Sequence, residues 1–344
     1  MHYNGDYYLT LLEEKHQPKL AYKENVDFEK WRLTVADKLK EILGIAVIEE
    51  NACPMNVWII EEKQKDGYKQ IHFAFETEIG AFVPCWLLIP DTGKEKYPLA
   101  IVLQGHNKEG AISSVGEWYD EHNEENIAYV KDRGDFAVQA VKNGFAGLAI
   151  EQRGMGLRNP ENKTHGGGCS YENQVPLMLG RTVIGGRVWD ISRAIDAMVN
   201  FPQVDTEKII VTGNSGGGTA TFYAACLDER IKLAVPSCAF CTFGKSIVYR
   251  QHCACNYIPG VYRWFDMQDL SCLIAPRNLI IVSGEKDDIF LIDGVKKGYE
   301  KVEKIFAKAS VANNCQLLVT PKGHFWCKDL VWNTIKEKTK ELGW

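Results

Sequence analysis

The sequence predicts an α/β fold: a mostly parallel central sheet with antiparallel N-terminal strands and helices on both faces. Three observations carry this. From Leu99 onward, short β-branched runs alternate with helix-length amphipathic stretches, the pattern of βαβ units and therefore of parallel strands. Before Leu99, three strand-like runs are separated by Asp66-Gly67 and Ile79-Gly80, dipeptides suited to tight turns between antiparallel neighbours. Finally, Gly213-Asn214-Ser215-Gly216-Gly217 lies between the apolar run Ile209-Ile210-Val211 and a small-residue helix that begins near Thr219.

In chain order, residues 1–50 read as a peripheral N-terminal helical segment. Phe28, Trp31, Leu33, Val35, Leu39 and Ile42 give it an apolar stripe. Met55–Glu62, Lys69–Glu76 and Phe82–Pro90 are the antiparallel strands. The later strands are Leu99–Leu103, Phe145–Ile150, Ile209–Thr212, Leu233–Ser237, Asn278–Ser283 and Gln316–Thr320. Their connecting helices include Val188–Asn200, Thr219–Leu227, Asp293–Ala309 and Leu330–Leu342. Two insertions, at about 152–184 and 238–272, interrupt the alternation within a main domain spanning 51–344. Both leave the C-terminal side of the sheet, where α/β proteins bind ligands, and long loops there are commonly lids or walls.

Composition removes several function classes. Across 344 residues, 45% are apolar and the formal net charge is −5. The absence of a long basic run argues against a nucleic-acid partner. No apolar stretch is long enough to span a membrane. The opening Met1-His2-Tyr3-Asn4 lacks a basic region followed by an apolar one, so a cytoplasmic location is expected. Eleven cysteines at irregular spacing point to free thiols in a reducing compartment. Cys238-x-x-Cys241 followed by His252-Cys253-x-Cys255 offers metal-type ligands, but C-x-C is less usual for zinc than C-x-x-C. Buried free thiols are the favoured reading, and no metal is expected. Gln152-Arg153-Gly154-Met155-Gly156 contains G-x-G without the third glycine of a dinucleotide site. No cofactor is therefore expected, and self-association is left open.

The chemistry concentrates at strand ends. G-x-S-x-G between a strand and a helix is a nucleophile elbow, which exposes the Ser215 hydroxyl at a strained turn. Such a hydroxyl needs a base, and the base needs an orienting acid. The acid is expected beyond Asn278–Ser283, where Glu285, Asp287 and Asp288 compete, with Asp287 preferred. The base is expected beyond Gln316–Thr320, where His324 stands. The oxyanion donors are expected to be the backbone N–H groups of Gly216, after the nucleophile, and of His106, in the loop after Leu99–Leu103. His165-Gly166-Gly167-Gly168 spells an alternative oxyanion motif, but it does not directly follow a strand and is read as part of the first insertion.

From about Asp66 to the C-terminus, the chain resembles bacterial α/β-hydrolases of the acetyl-xylan-esterase-like and dienelactone-hydrolase-like branch. The matching pieces include Leu87-Leu88-Ile89-Pro90, Gln104-Gly105-His106, Gln152-Arg153-Gly154, Arg187-Val188-Trp189-Asp190, Gly213–Gly217, Ala275-Pro276-Arg277, Gly284-Glu285-Lys286-Asp287 and Gly323-His324. The resemblance implies an α/β-hydrolase fold with Asp287 as the acid. It also implies a serine esterase acting on small acyl esters, with an acetylated saccharide as the leading substrate. The chain departs from the xylan and cephalosporin C deacetylases, which carry Arg-Gly-Gln, Gly-x-Ser-Gln-Gly and His-Glu where this chain has Gln152-Arg153-Gly154, Gly213–Gly217 and His324-Phe325. Ser215 also departs from the cysteine nucleophile usual in dienelactone hydrolases. A prolyl-oligopeptidase-type peptidase and a non-catalytic binding protein on the same scaffold are the rival readings. The aromatic-rich insertion 238–272 is expected to cover the site, with Trp264 from it and Trp326 beside His324 restricting the acyl group to short chains.

Overall fold

The structure is a computed structural model that describes residues 5–160 and 168–344. It opens with helices α1 (Gly5–Glu14), α2 (Phe28–Leu43) and α3 (Ile45–Glu49). The strands β1 (Val57–Lys65), β2 (Tyr68–Glu78) and β3 (Ala81–Pro90) follow as an antiparallel meander. Next come β4 (Tyr97–Leu103), α4 (Glu124–Tyr129), α5 (Phe136–Lys142), β5 (Ala146–Ile150), α6 (Gly168–Met178) and α7 (Val183–Ala197). The remainder is β6 (Val204–Asn214), α8 (Gly216–Leu227), β7 (Ile231–Ser237), α9 (Val261–Trp264), β8 (Asn278–Gly284), α10 (Ile292–Lys308), β9 (Cys315–Thr320) and α11 (Lys328–Glu341).

The described residues form one nine-stranded sheet in the order β1-β2-β3-β5-β4-β6-β7-β8-β9. From β5 to β9 neighbouring strands run parallel, and β3 joins β5 antiparallel. Side chains alternate across the pleat. Leu99, Ile101, Ile209, Val211, Leu279 and Ile281 face one core with α7, α8 and α10. Ala100, Val102, Ile210, Ile280 and Val282 face the other with α5 and α11. Both faces are thus covered, which is why the central strands are apolar on both sides.

Helix α2 is less peripheral than its charge suggests. Asp27 caps α2 by accepting from the Lys30 N–H, and Trp31, Val35, Leu39 and Leu43 bury themselves in the larger core. Leu33, on the expected stripe, is 58% exposed, because it lies off the Val35–Leu39–Leu43 face. A helix not anticipated, α5, supplies the crossover that parallel β4 and β5 need. Helix α7 begins at Val183, five residues before the expected Val188, where Thr182 caps it through the Gly185 N–H. Among the described residues no helix is long and apolar enough to cross a membrane.

Candidate active site

Ser215 stands between β6 and α8 with φ 56° and ψ −122°. A non-glycine residue there stores about 1–3 kcal/mol of strain, held by surrounding contacts. Its N–H donates to the Ser237 carbonyl at the end of β7. A Cβ on Gly217 would collide with the Leu103 carbonyl, and one on Gly105 would lie 3.2 Å from the Ser215 Cβ. Glycine at both positions lets the loop after β4 close over the elbow.

The expected acid and base stand beyond the next two strand ends. Asp287 follows β8 and His324 follows β9. His324 Nδ1 lies 3.0 Å from Asp287 Oδ2, and Asp287 Oδ1 accepts from the N–H groups of Ile289 and Phe290 at 2.8 and 3.0 Å. Burial pushes the Asp287 carboxyl up, but the His324 bond and those two N–H donors more than offset it and hold the pKa below its ordinary value. The Phe290 ring stacks on His324. Of the competing carboxylates, Asp288 is exposed and paired with Arg250 at 3.0 Å, and Glu285 is exposed.

Two cavities meet at Ser215. A larger one, about 630 Å³, is shared with His324, Asn107, Lys108, Asn126 and Arg133. A smaller one, about 190 Å³, is lined by His106, Gly216, His252 and Phe290. Gly216 is the first residue of α8, where an N–H has no intrahelical acceptor. The expected oxyanion donors, Gly216 and His106, therefore flank the same small cavity as Ser215.

The two tryptophans part company. Trp326 lines the larger cavity, almost fully buried, with its Nε1 donating to Gln139 Oε1 at 2.9 Å. Trp264 does not reach the site. It turns toward the N-terminal segment, where Lys19 and Lys38 lie 5.1 and 4.3 Å from its ring centroid. The insertion's other aromatics are also redirected. Phe240, Phe243 and Phe265 are core residues, while Tyr249 and Tyr257 line a separate groove with Leu9 and Leu12 of α1. What reaches Ser215 from this insertion is the stretch around Arg250–Asn256.

The cysteine grouping is likewise corrected. Cys238 lies beside Asp287 and His324, Cys241 Sγ faces the Leu291 carbonyl, and His252 packs edge-on against Phe290. Cys253 and Cys255 instead meet His106 and Cys169. In the alternative oxyanion motif, residues 165–167 lie outside the described residues, and Gly168 opens α6.

Sequence reasoning did not find Glu151. It follows β5 directly and is fully buried. Its carboxyl accepts from the N–H groups of Ala111 and Leu157 and from Gln104 Nε2, at 3.1–3.3 Å. It thereby ties the loop after β4 to the first insertion. Burial pushes it up to about 8. Its one sequence signal is a carboxylate immediately after an all-apolar strand. Nearby, Arg153 bridges Asp190 and Glu78, Arg158 joins Asp190 at 2.7 Å, and Arg181 joins Glu78 at 2.6 Å. Burial alone would raise the Asp190 carboxyl, but Arg153 and Arg158 bring it down to about 2.

Residues 8–308 match the Abhydrolase family. The chain belongs to that family. It is therefore an α/β-hydrolase, in agreement with the sheet order and the elbow. It is 27% identical over 251 residues to a Bacillus subtilis (strain 168) protein named Putative hydrolase YtaP, covering 70% of this chain and 81% of that one. Among solved structures it is similar in fold to a putative acetyl xylan esterase, BF1801, from Bacteroides fragilis NCTC 9343. That match has TM-score 0.75 and 18% identity, and covers 93% of this chain and 83% of the other. The acetyl xylan esterase of Paenibacillus sp. R4 aligns with TM-score 0.61 and 19% identity over 95% and 98% of the two chains. At these identities the structural matches speak to the fold of this hydrolase.

Proposed function

We propose that this hydrolase is a serine esterase that cleaves short acyl esters of carbohydrate, acetyl esters foremost. The observation that carries the reading is the Asp287–His324 pair opening onto the same cavity as the strained Ser215. With Nδ1 engaged by Asp287, Nε2 is the ring nitrogen left to take a proton. In the mechanism, Ser215 Oγ attacks the ester carbonyl carbon and its proton passes to His324. The carbonyl oxygen, now anionic, is held by the N–H groups of His106 and Gly216, each worth about 3–4 kcal/mol in comparable sites. The C–O bond to the alcohol then breaks, and His324 protonates the departing oxygen. Water attacks the acyl-enzyme with His324 as base, releasing the acid and restoring Ser215. Asp287 holds the tautomer and stabilises the imidazolium.

The cavities support the substrate class. The smaller, about 190 Å³, suits a short acyl group, and the larger presents Asn107, Lys108, Asn126 and Arg133, polar groups fit for a hydroxyl-rich alcohol. The two structural relatives described above carry acetyl xylan esterase in their names. The test combines a nitrophenyl ester series from acetyl to octanoyl with acetate release from acetylated xylo-oligosaccharides and labelling by a fluorophosphonate. Acetyl esters should turn over fastest, and the label should sit on Ser215. Faster octanoyl cleavage overturns the short-acyl reading. Preference for peptide amides turns the protein into a peptidase, and an unlabelled Ser215 removes the serine mechanism.

A further inference from the structure

Three segments converge on one side of the elbow. The loop after β4 brings His106, the start of α6 brings Cys169, and the second insertion brings Cys253 and Cys255. Their ligand atoms all lie within 4.8 Å of one another. His106 Nε2 is 3.2 Å from Cys169 Sγ and 3.6 Å from Cys255 Sγ. Zinc bonded to sulfur at about 2.3 Å and to nitrogen at about 2.0–2.1 Å in a tetrahedron sets N···S at about 3.6 Å and S···S at about 3.8 Å. The three thiols are free rather than joined as a disulfide. One nitrogen and three sulfurs form a complete tetrahedral set, the donor chemistry that suits zinc.

A second observation is independent of that spacing. Arg187 of α7 is 1% exposed and forms no ion pair with a carboxylate among the described residues. Its guanidinium donates instead to the Arg153 carbonyl and, from Nη2 at 3.1 Å, to Cys169 Sγ, while Nη1 has no partner. A buried cation needs a compensating charge. Zinc with three thiolates and a neutral imidazole carries a net charge of −1, which Arg187 cancels.

We propose that His106, Cys169, Cys253 and Cys255 bind one zinc ion. With four protein ligands the site is closed, so the ion is structural rather than a Lewis acid for the reaction. It ties the loop after β4 to both insertions. His106 also packs against Gly216, where an added Cβ would lie 2.8 Å from the ring. The metal therefore fixes the wall of the smaller cavity, whatever ester that cavity accepts, and metal binding can be tested without reference to turnover.

The experiment expresses the full chain in zinc-supplemented medium and measures metal by mass spectrometry. About one zinc per chain is expected, falling below about one-tenth in Cys169→Ser and in Cys255→Ser, while Cys241→Ser keeps the wild-type ratio. Wild-type protein stripped of zinc and given cobalt should show thiolate-to-cobalt charge transfer and the visible bands of a tetrahedral site. This reading does not depend on the variants folding. The proposal is overturned if stripped wild type binds neither metal, or if both variants retain zinc at the wild-type ratio. Alkylation without reductant that finds a disulfide among Cys169, Cys253 and Cys255 also overturns it.

Discussion

The two sides of the cleft at Ser215 are built by different means. On one side, Asp287 and His324 are the products of β8 and β9, strands locked in register by parallel pairing from Leu279–Cys315 to Gly284–Thr320. A short turn beyond each strand is enough to bring Nδ1 within 3.0 Å of Oδ2. On the other side, the walls come from the segments between β5 and α7 and between β7 and β8, which have no sheet to hold them. They are fixed by cross-links instead: the Glu78–Arg153–Asp190–Arg158 ion network, the Glu151 carboxyl, and the His106–Cys169–Cys253–Cys255 group. The contrast teaches that strand register positions Asp287 and His324, whereas buried polar chemistry shapes the space around them. Perturbing the first should destroy chemistry, and perturbing the second should destroy order.

The largest effect belongs to the first side. Ser215→Ala should lower kcat by about a millionfold if the three residues act as a unit, with the thermal transition intact. Near-normal turnover by purified Ser215→Ala protein would place the nucleophile elsewhere. Next is the choice of acid. Asp287→Asn should lower kcat by about ten-thousandfold, because the amide favours the wrong imidazole tautomer. Asp288→Asn, which loses only an exposed pair with Arg250, should stay within about fivefold of wild type. A reversed ranking in kcat/KM would move the orienting role to Asp288.

The same division explains what could be read from the sequence. Apart from β6, which begins at Val204 rather than Ile209, the strands are legible to within three residues because pleat alternation and two-sided burial leave a repeating apolar pattern. Expected Asn278–Ser283 against observed Asn278–Gly284 is typical. The meeting of Asp287 and His324 is legible because each stands a few residues past such a strand. The walls are not. Trp264 looks like a pocket residue by composition, yet the direction of α9 is set by packing against Leu20 and Lys38, contacts with no local signature. Cys253 and Cys255 stand near Cys238, Cys241 and His252 in sequence, whereas their spatial partners, His106 and Cys169, arrive from other loops. Leu33 failed for a smaller reason: α2 meets the core along one narrow face, and a one-sided stripe cannot show its own edge.

On the second side the expected loss is stability. The Asp190 side chain is 2% exposed and accepts from both Arg153 and Arg158. Asp190→Asn leaves the part-buried Arg158 without its carboxylate and Arg153 with Glu78 alone, a defect that costs up to about 3 kcal/mol. Chemical denaturation should show that loss in the midpoint, with the slope unchanged. A variant as stable as wild type would mean that the network is not what holds the first insertion.

The last effect, read only as a change with pH, is the most specific to this wall. Burial raises the Glu151 carboxyl from 4.5 to about 8 in the folded chain. Between those values the folded state binds a proton that the unfolded state has released, so stability falls as pH rises. The contribution is complete below pH 4.5 and lost by about pH 8. Glu151→Gln keeps the shape and a neutral group but cannot ionise. Its melting temperature should therefore gain on wild type steadily as pH rises through this window. Taking the difference between the two proteins cancels every other titrating group. A difference in melting temperature that is flat with pH would show that Glu151 stays ionised in the folded chain. The loop after β4 would then be held by a charged carboxylate rather than a neutral one.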